Sequence, residues 1–312
     1  MPKLLILSTE AAEFRRLIEE SALPDLEIAT AADPESARGG RMDCEILYGE
    51  ARMIREVLAN LPQLKWVQTM SAGVDRLMDP SLRRDYTLTN SGGAFGTLMR
   101  EYVMGYILAY ERRVFERRDS QLKRIWNRDG VGHLNGKTIG ILGVGSIGSE
   151  IAATAKHFGM HVRGYTRASE TCAHVDAYYH GDALPEFAAG CDYVVSVLPK
   201  TAATHHMVDA AFLWALPSHA VFINVGRGAT VDEAALIDAL QGQRLALAVL
   251  DVFEQEPLPE SHPLWSAPNL WMSFHTSASS RPEDLAKVFI ENYARYFRGE
   301  KLKHEVSFEL GY

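Results

Sequence analysis

A glycine-spaced turn near the middle of the chain, Gly143-Val-Gly145-Ser146-Ile147-Gly148, constrains the fold more than any other segment. It follows an apolar run at 138–142 and opens a stretch in which Ile151, Ala155 and Phe158 recur on one side. That pattern reads as strand, tight turn and helix. Each glycine has its own task. The first permits the turn, the second lets a pyrophosphate come close to the backbone, and the third lets helix and strand pack together. The helix start then offers unpaired N–H groups and a partial positive charge to phosphate. A unit of this kind needs a parallel sheet to belong to.

The rest of the chain supplies one. Runs at 138–142, 161–165, 193–198, 220–225, 247–250 and 270–273 read as strands, with helical stretches between the first five. Six strands in series with crossovers make a complete doubly wound domain. The first hundred residues repeat the alternation, with strand candidates at 4–7, 27–29, 44–48, 66–69 and 87–89. Helices or turns at 10–20, 52–58 and 74–78 lie between them. The expected fold is therefore α/β, with two doubly wound parallel-sheet domains, which 312 residues can accommodate. Residues 99 to about 124 read as one connecting helix, with Val103, Ile107 and Tyr110 at helical spacing. A last helix is expected from about Pro282 to Phe297, capped by Ser279 or Ser280. The few residues after Gly299 are expected to return to the first domain.

Charge excludes one class of function. A net charge of −8 is wrong for a chain whose main task is binding nucleic acid. The one basic cluster, Arg112, Arg113, Arg117, Arg118, Lys123, Arg124 and Arg128, is interleaved with Glu111, Glu116 and Asp119, so it reads as a solvated helix face. No apolar run reaches the roughly 20 residues that span a bilayer, so no membrane partner is expected. Residues 1–7 read as a first strand and not as a signal peptide. Cys44, Cys172 and Cys191 form no pair or metal spacing, which suits reduced thiols in a cytoplasm. His205–His206 is the only histidine doublet; without a nearby third ligand it reads as surface, and no metal site is expected.

The end of the second strand bears on the nucleotide. Where an NAD site commonly has an acid for the ribose 2′-hydroxyl, this chain has Thr166 followed by Arg167. An acid would repel a 2′-phosphate, whereas Thr166 can hydrogen-bond it and Arg167 can pair with it. NADP(H) is therefore the expected cofactor, with NAD(H) second. Three further segments follow strands: Asn224-Val225-Gly226-Arg227-Gly228, Asp251-Val-Phe-Glu-Gln-Glu256-Pro257 and Phe274-His275-Thr-Ser. Carboxyl ends of strands line the ligand crevice of an open parallel sheet, so Arg227, Glu256 and His275 can converge there. Reduction of a carbonyl by hydride needs a proton donor, which suits His275. A carboxylate on its other nitrogen suits Glu256, and a fixed planar cation for substrate oxygens suits Arg227.

With Ser71-Ala72-Gly73-Val74-Asp75 and Leu198-Pro199-Lys-Thr201 added, these motifs resemble, in order, the D-isomer-specific 2-hydroxyacid dehydrogenase family over essentially the whole chain. The resemblance implies a catalytic set of Arg227, Glu256 and His275, with Asp251 on the nicotinamide carboxamide. It also implies cofactor contacts from Leu198, Pro199 and Val225, and substrate contacts from Ala72, Gly73 and Val74 beside Arg227 and His275. The implied organisation is a flavodoxin-like substrate domain, 1–98 plus 284–312, a Rossmann cofactor domain, 99–283, and a homodimer. Glu256-Pro-Leu-Pro259, Pro263-Leu-Trp265, Arg281-Pro282 and the Gly311-Tyr312 ending look most like the family's glyoxylate/hydroxypyruvate reductase A type. Phe274 stands where the family usually has Pro, and Ser277-Ala278 replaces a common Ala-Gly. Arg281 reads as a surface residue at a helix start. A formate dehydrogenase would carry Gln in place of Glu256. The rival from another class is a nucleotide sensor or corepressor-like scaffold on the same fold, since fold does not establish function.

Overall fold

The computed structural model describes residues 1–40 and 43–312. The chain forms two compact units, residues 1–95 with 280–312, and residues 96–279. Both are built on wholly parallel sheets. In the first, strands β1 (Lys3–Leu7), β2 (Glu27–Ala31), β3 (Ile46–Gly49), β4 (Trp66–Thr69) and β5 (Thr87–Thr89) run in the order β2-β1-β3-β4-β5. That is the flavodoxin-like order, with the direction of winding reversed between β1 and β3. Covered on both faces, β1 reads as an unbroken apolar run, and Leu4, Leu5, Ile6 and Leu7 are all buried. Helices α1 (Ala11–Glu20), α2 (Pro34–Arg38) and α3 (Ala51–Val57) connect the strands. The returning helix, Pro282–Phe297, stacks Phe289 on Trp66 and Tyr48, while Asn292 donates to Gln68 Oε1 at 2.9 Å and to the Lys303 carbonyl at 3.0 Å.

The second unit holds seven strands: β6 (Thr138–Leu142), β7 (His161–Tyr165), β8 (Ala177–Tyr179), β9 (Tyr193–Ser196), β10 (Val221–Asn224), β11 (Leu247–Leu250) and β12 (Leu270–Met272). Their order, β12-β11-β10-β9-β6-β7-β8, is the Rossmann order, with the switch point between β6 and β9. Helices α4 (Gly96–Glu111), α5 (Val114–Leu122), α6 (Ser146–His157), α7 (Leu184–Ala189), α8 (Ala210–Ala215) and α9 (Glu233–Gln241) complete it.

Three local readings are corrected. The edge strand β8 was not anticipated: it is three residues long and none is fully buried, so it leaves no periodic signal. Helix α2 was missed although Asp33 caps it, accepting from Ser36 N at 2.7 Å ahead of Pro34. Residues 75–77 form a single 3₁₀ turn, in keeping with the helix or turn expected at 74–78. The expected connecting helix is two helices, α4 and α5, divided at Arg113, whose φ is +51°. Moreover α4 is a core element: Val103, Met104 and Ile107 pack with Ile139, Ile141 and Ile151. Its end is anchored by buried Glu111, which meets Lys137 Nζ at 2.9 Å and the Tyr193 hydroxyl. Among the described residues no helix is long and apolar enough to cross a membrane.

Candidate active site

The glycine loop joins β6 to α6, and its geometry separates the three glycines. Gly143 has φ +93°, which only glycine adopts without strain. A Cβ on Gly148 would stand 2.3 Å from the Gly143 carbonyl oxygen, so helix and strand pack only because that Cβ is missing. At Gly145 a Cβ would meet no protein atom within 4 Å. Packing therefore does not demand glycine there, and the space beside it is open. No side chain caps the start of α6, so Ser146, Ile147 and their neighbours keep N–H groups for an anion. This is a cradle that fits a dinucleotide pyrophosphate.

At the end of β7, Thr166 is buried and Arg167 exposed. The Thr166 hydroxyl donates to the Ser169 carbonyl at 2.7 Å, and His180 Nδ1 lies 2.8 Å from the Thr166 carbonyl. The Thr166 hydroxyl thus helps to shape its own loop, and would have to rotate away from the Ser169 carbonyl to meet a 2′-phosphate. His180, unremarked in the sequence, lies 2.8 Å from Glu170 through Nε2; that hydrogen bond and the one to the Thr166 carbonyl hold the imidazole pKa above its ordinary value.

The three later loops are each braced. Beyond β10, Asn224 and Thr230, both buried, grip the Arg227 carbonyl at 3.1 and 2.6 Å. Arg227 is half-buried and its Nη1 donates to the Gly226 carbonyl at 2.8 Å. Loops here touch directly: a Cβ on Gly226 would lie 2.7 Å from Leu198 N, and one on Gly228 would lie 1.8 Å from the Phe253 carbonyl carbon. The structure thus brings Leu198, Val225, Arg227 and the loop bearing Glu256 into one neighbourhood at the strand ends. Pro199 begins the turn beyond β9, and its carbonyl accepts from Thr204 Oγ1 at 2.6 Å.

His275 and Glu256 meet directly, with Nδ1 to Oε2 at 2.8 Å. The other Glu256 oxygen accepts from Phe253 N at 3.0 Å, which fixes the carboxylate. His275 sits at φ +55°, a left-handed conformation that costs on the order of 1–3 kcal/mol for a non-glycine residue. The compensation comes from Asp251, which is almost wholly buried. Its carbonyl accepts from His275 N at 2.7 Å, and its Oδ1 accepts from Ser273 Oγ, Thr276 N and Ser277 N at 2.7, 2.9 and 3.1 Å. Tyr102 of α4 extends the chain, its hydroxyl 2.5 Å from Ser273 Oγ. The resemblance assigns Asp251 to the nicotinamide; the geometry adds that it builds the loop presenting His275. Phe274 is exposed and rests on Trp265, ring centroids 5.7 Å apart.

In the first unit, the loop after β4 carries Ala72, Gly73 and Val74. Ser71 Oγ donates to the Gly73 carbonyl at 2.7 Å and Thr69 Oγ1 to the Ser71 carbonyl at 2.9 Å, so the segment is ordered from within. Arg281 is exposed and pairs with Asp284 at 2.9 Å. One reading on metal ligands is corrected: the doublet His205–His206 does have a third ligand group beside it, Glu254. Sequence distance hid it.

The family model described as "D-isomer specific 2-hydroxyacid dehydrogenase, NAD binding domain" matches residues 104–277, more than half of the chain. The chain belongs to this family. It is accordingly an NAD(P)-dependent oxidoreductase of 2-hydroxy and 2-oxo acids. Glyoxylate/hydroxypyruvate reductase A of Yersinia enterocolitica is 33% identical over 236 residues, covering 73% of this chain and 75% of the relative. Among solved structures, a family member from Aeromonas salmonicida is 42% identical with a TM-score of 0.89, covering 98% of this chain and 99% of that one. An NADPH-dependent glyoxylate/hydroxypyruvate reductase from Sinorhizobium meliloti, in complex with NADP and sulfate, is 28% identical with a TM-score of 0.87, covering each chain completely.

Proposed function

We propose that this family member reduces glyoxylate or hydroxypyruvate with NADPH, using His275 as the proton donor. One observation carries the reading: a His275–Glu256 pair at 2.8 Å, on a loop organised by buried Asp251, in the same unit as the glycine loop. The reductase names borne by its relatives favour it over a nucleotide sensor.

Gly143, Gly145, Ser146, Ile147 and Gly148 would hold the pyrophosphate, while Leu198, Pro199, Val225 and Asp251 would border the nicotinamide half. When bound, the nicotinamide supplies the hydride. The protein's own part is proton and charge. With Nδ1 held by Glu256, Nε2 of His275 is the nitrogen left to protonate the carbonyl oxygen, and to take the proton back in the reverse direction. Glu256 stabilises the charged ring and fixes its orientation. Arg227 would supply a permanent cation for the substrate carboxylate and carbonyl; the resemblance assigns the backbone at Ala72, Gly73 and Val74 to the substrate as well.

The direct test follows NADPH absorbance with glyoxylate, hydroxypyruvate, pyruvate and phenylpyruvate in turn. Rapid oxidation with either of the first two is expected. Turnover with phenylpyruvate alone would keep the reaction and discard the substrate. No turnover in a protein that binds NADPH would return the sensor reading.

NADPH preference would rest chiefly on Arg167, with Thr166 contributing once its hydroxyl turns from the Ser169 carbonyl. Arg167→Ala is expected to raise the KM for NADPH about 10–100-fold, the loss of one charged hydrogen bond, and to leave that for NADH unchanged. Equal changes with both cofactors would remove Arg167 from the 2′-phosphate site. Asp at position 166 is a poorer test, since its carboxylate would face the Ser169 carbonyl.

Helix α5 buries no residue, and Phe115, Leu122, Ile125 and Trp126 are exposed along it and just beyond. Phe115 and Leu122 are seven apart and share a face. A large apolar stripe on a charged helix fits a second copy of the chain as its occupant. Light scattering is expected to give twice 34.7 kDa, and Leu122→Asp with Trp126→Asp to give the monomer mass. A monomeric parent would refute the dimer. Three free cysteines, two of them buried, accord with a cytoplasmic setting.

A further inference from the structure

The loops following β9 and β11 gather a second set of chemically active side chains, which the proposed reaction does not use. His205 and His206 sit on a turn stiffened by Thr204, whose Oγ1 donates to the Pro199 carbonyl at 2.6 Å and accepts from Thr201 N at 2.9 Å. His206 N donates to the Ala229 carbonyl at 3.0 Å, and the residue has φ +48°. His205 Nδ1 also lies 3.0 Å from the Ala229 carbonyl oxygen. A carbonyl only accepts, so Nδ1 carries the hydrogen and Nε2 carries the lone pair. That is the tautomer of a metal-ligating histidine, with its other nitrogen donating to a backbone carbonyl.

The second ring adds an anomaly. His206 Nε2 is shut off from solvent and has no hydrogen-bond partner. A buried polar atom left so is uncommon and costly. The Glu254 carboxylate stands beside it, with Oε1 3.5 Å away. One ligand atom from each of His205, His206 and Glu254 falls within 4.8 Å of the others. The backbone of Glu254 is itself pinned, its N donating to Glu233 Oε1 at 2.9 Å. Three ligand groups therefore converge from two loops that are each held in place.

We propose that His205, His206 and Glu254 form a binding site for a divalent transition-metal ion of the zinc class, with solvent completing its coordination. Two imidazoles and one carboxylate suit zinc, cobalt or nickel; magnesium and calcium prefer oxygen ligands throughout. The ion ties the loop beyond β9, where Leu198 and Pro199 lie, to the loop beyond β11, where Glu256 lies two residues past Glu254. It acts as a staple on these loops and takes no part in hydride or proton transfer. The site stands or falls independently of the oxo-acid assignment.

The test titrates chelator-stripped protein with zinc chloride in a calorimeter, with magnesium chloride as the control. One zinc per chain and no magnesium uptake are expected. Glu254→Gln and His206→Asn should each weaken zinc binding by at least the roughly 10–100-fold that loss of an outer-shell partner costs. Asparagine is chosen because it tolerates a left-handed backbone. Both variants should keep the parent's circular dichroism and NADPH affinity; should His206→Asn unfold, Glu254→Gln decides alone, since it leaves the backbone untouched. Cys172→Ser is the control for a thiolate site. No saturable zinc uptake in the parent, uptake unchanged in both variants, or uptake abolished by Cys172→Ser would each overturn the proposal.

Discussion

His275→Asn is expected to lower kcat for oxo-acid reduction by about 10²–10⁴-fold, the usual worth of a positioned general acid. Asparagine is the appropriate replacement on structural grounds. His275 has φ +55°, and asparagine is among the few residues enriched in that region. The neighbouring backbone groups, Thr276 N and Ser277 N, stay bonded to Asp251, so the loop is retained while the proton donor is lost. Affinity for NADPH, measured by fluorescence quenching, should match the parent because the glycine loop and Arg167 are untouched. A variant turning over near the parental rate would remove His275 from the chemistry. A variant that also lost NADPH would show that the substitution had damaged the loop.

Much of this fold was legible because its strands are buried on both faces and so appear as short apolar runs between helices. Thr138–Leu142 and Trp66–Thr69 were readable to the residue for that reason. The failures are equally physical. β8 is a half-covered edge strand with no apolar run to detect. The break at Arg113 follows a helix whose end is held by Glu111 against Lys137 and Tyr193, contacts that join distant parts of the chain. Arginine is a good helix former, so local propensity gave no warning.

The site divides along the same line. Strand ends and residue chemistry point to Arg227, Glu256 and His275 in the sequence, and the structure brings Glu256 and His275 into contact; the glycine loop is legible too. The site's internal bonding is not. The inward turn of Thr166 depends on the carbonyl of Ser169 and on His180, and the bracing of His275 depends on Asp251. Neither leaves a periodic trace. Glu254 joins His205 and His206 only once β9 and β11 lie one strand apart in the sheet, on either side of β10.

Arg227→Ala is expected to reduce kcat/KM for the oxo acid by about 10²–10³-fold, comparable to removing one preorganised donor from an oxyanion site. The scaffold makes this a clean substitution. Asn224 and Thr230 hold the Arg227 carbonyl, not its side chain, so the backbone of residues 224–230 survives truncation. The guanidinium donates to the adjacent Gly226 carbonyl, a bond the loop can cede to water. NADPH affinity should therefore persist. Arg227→Lys sharpens the interpretation: it keeps the charge and removes the planar fork. If charge alone polarises the carbonyl, lysine should restore most of the rate. If bidentate geometry on the carboxylate matters, lysine should resemble alanine, with the loss carried chiefly by KM. An alanine variant with parental kinetics for both substrate and cofactor would exclude Arg227 from substrate recognition, leaving the His275–Glu256 pair without its cationic partner.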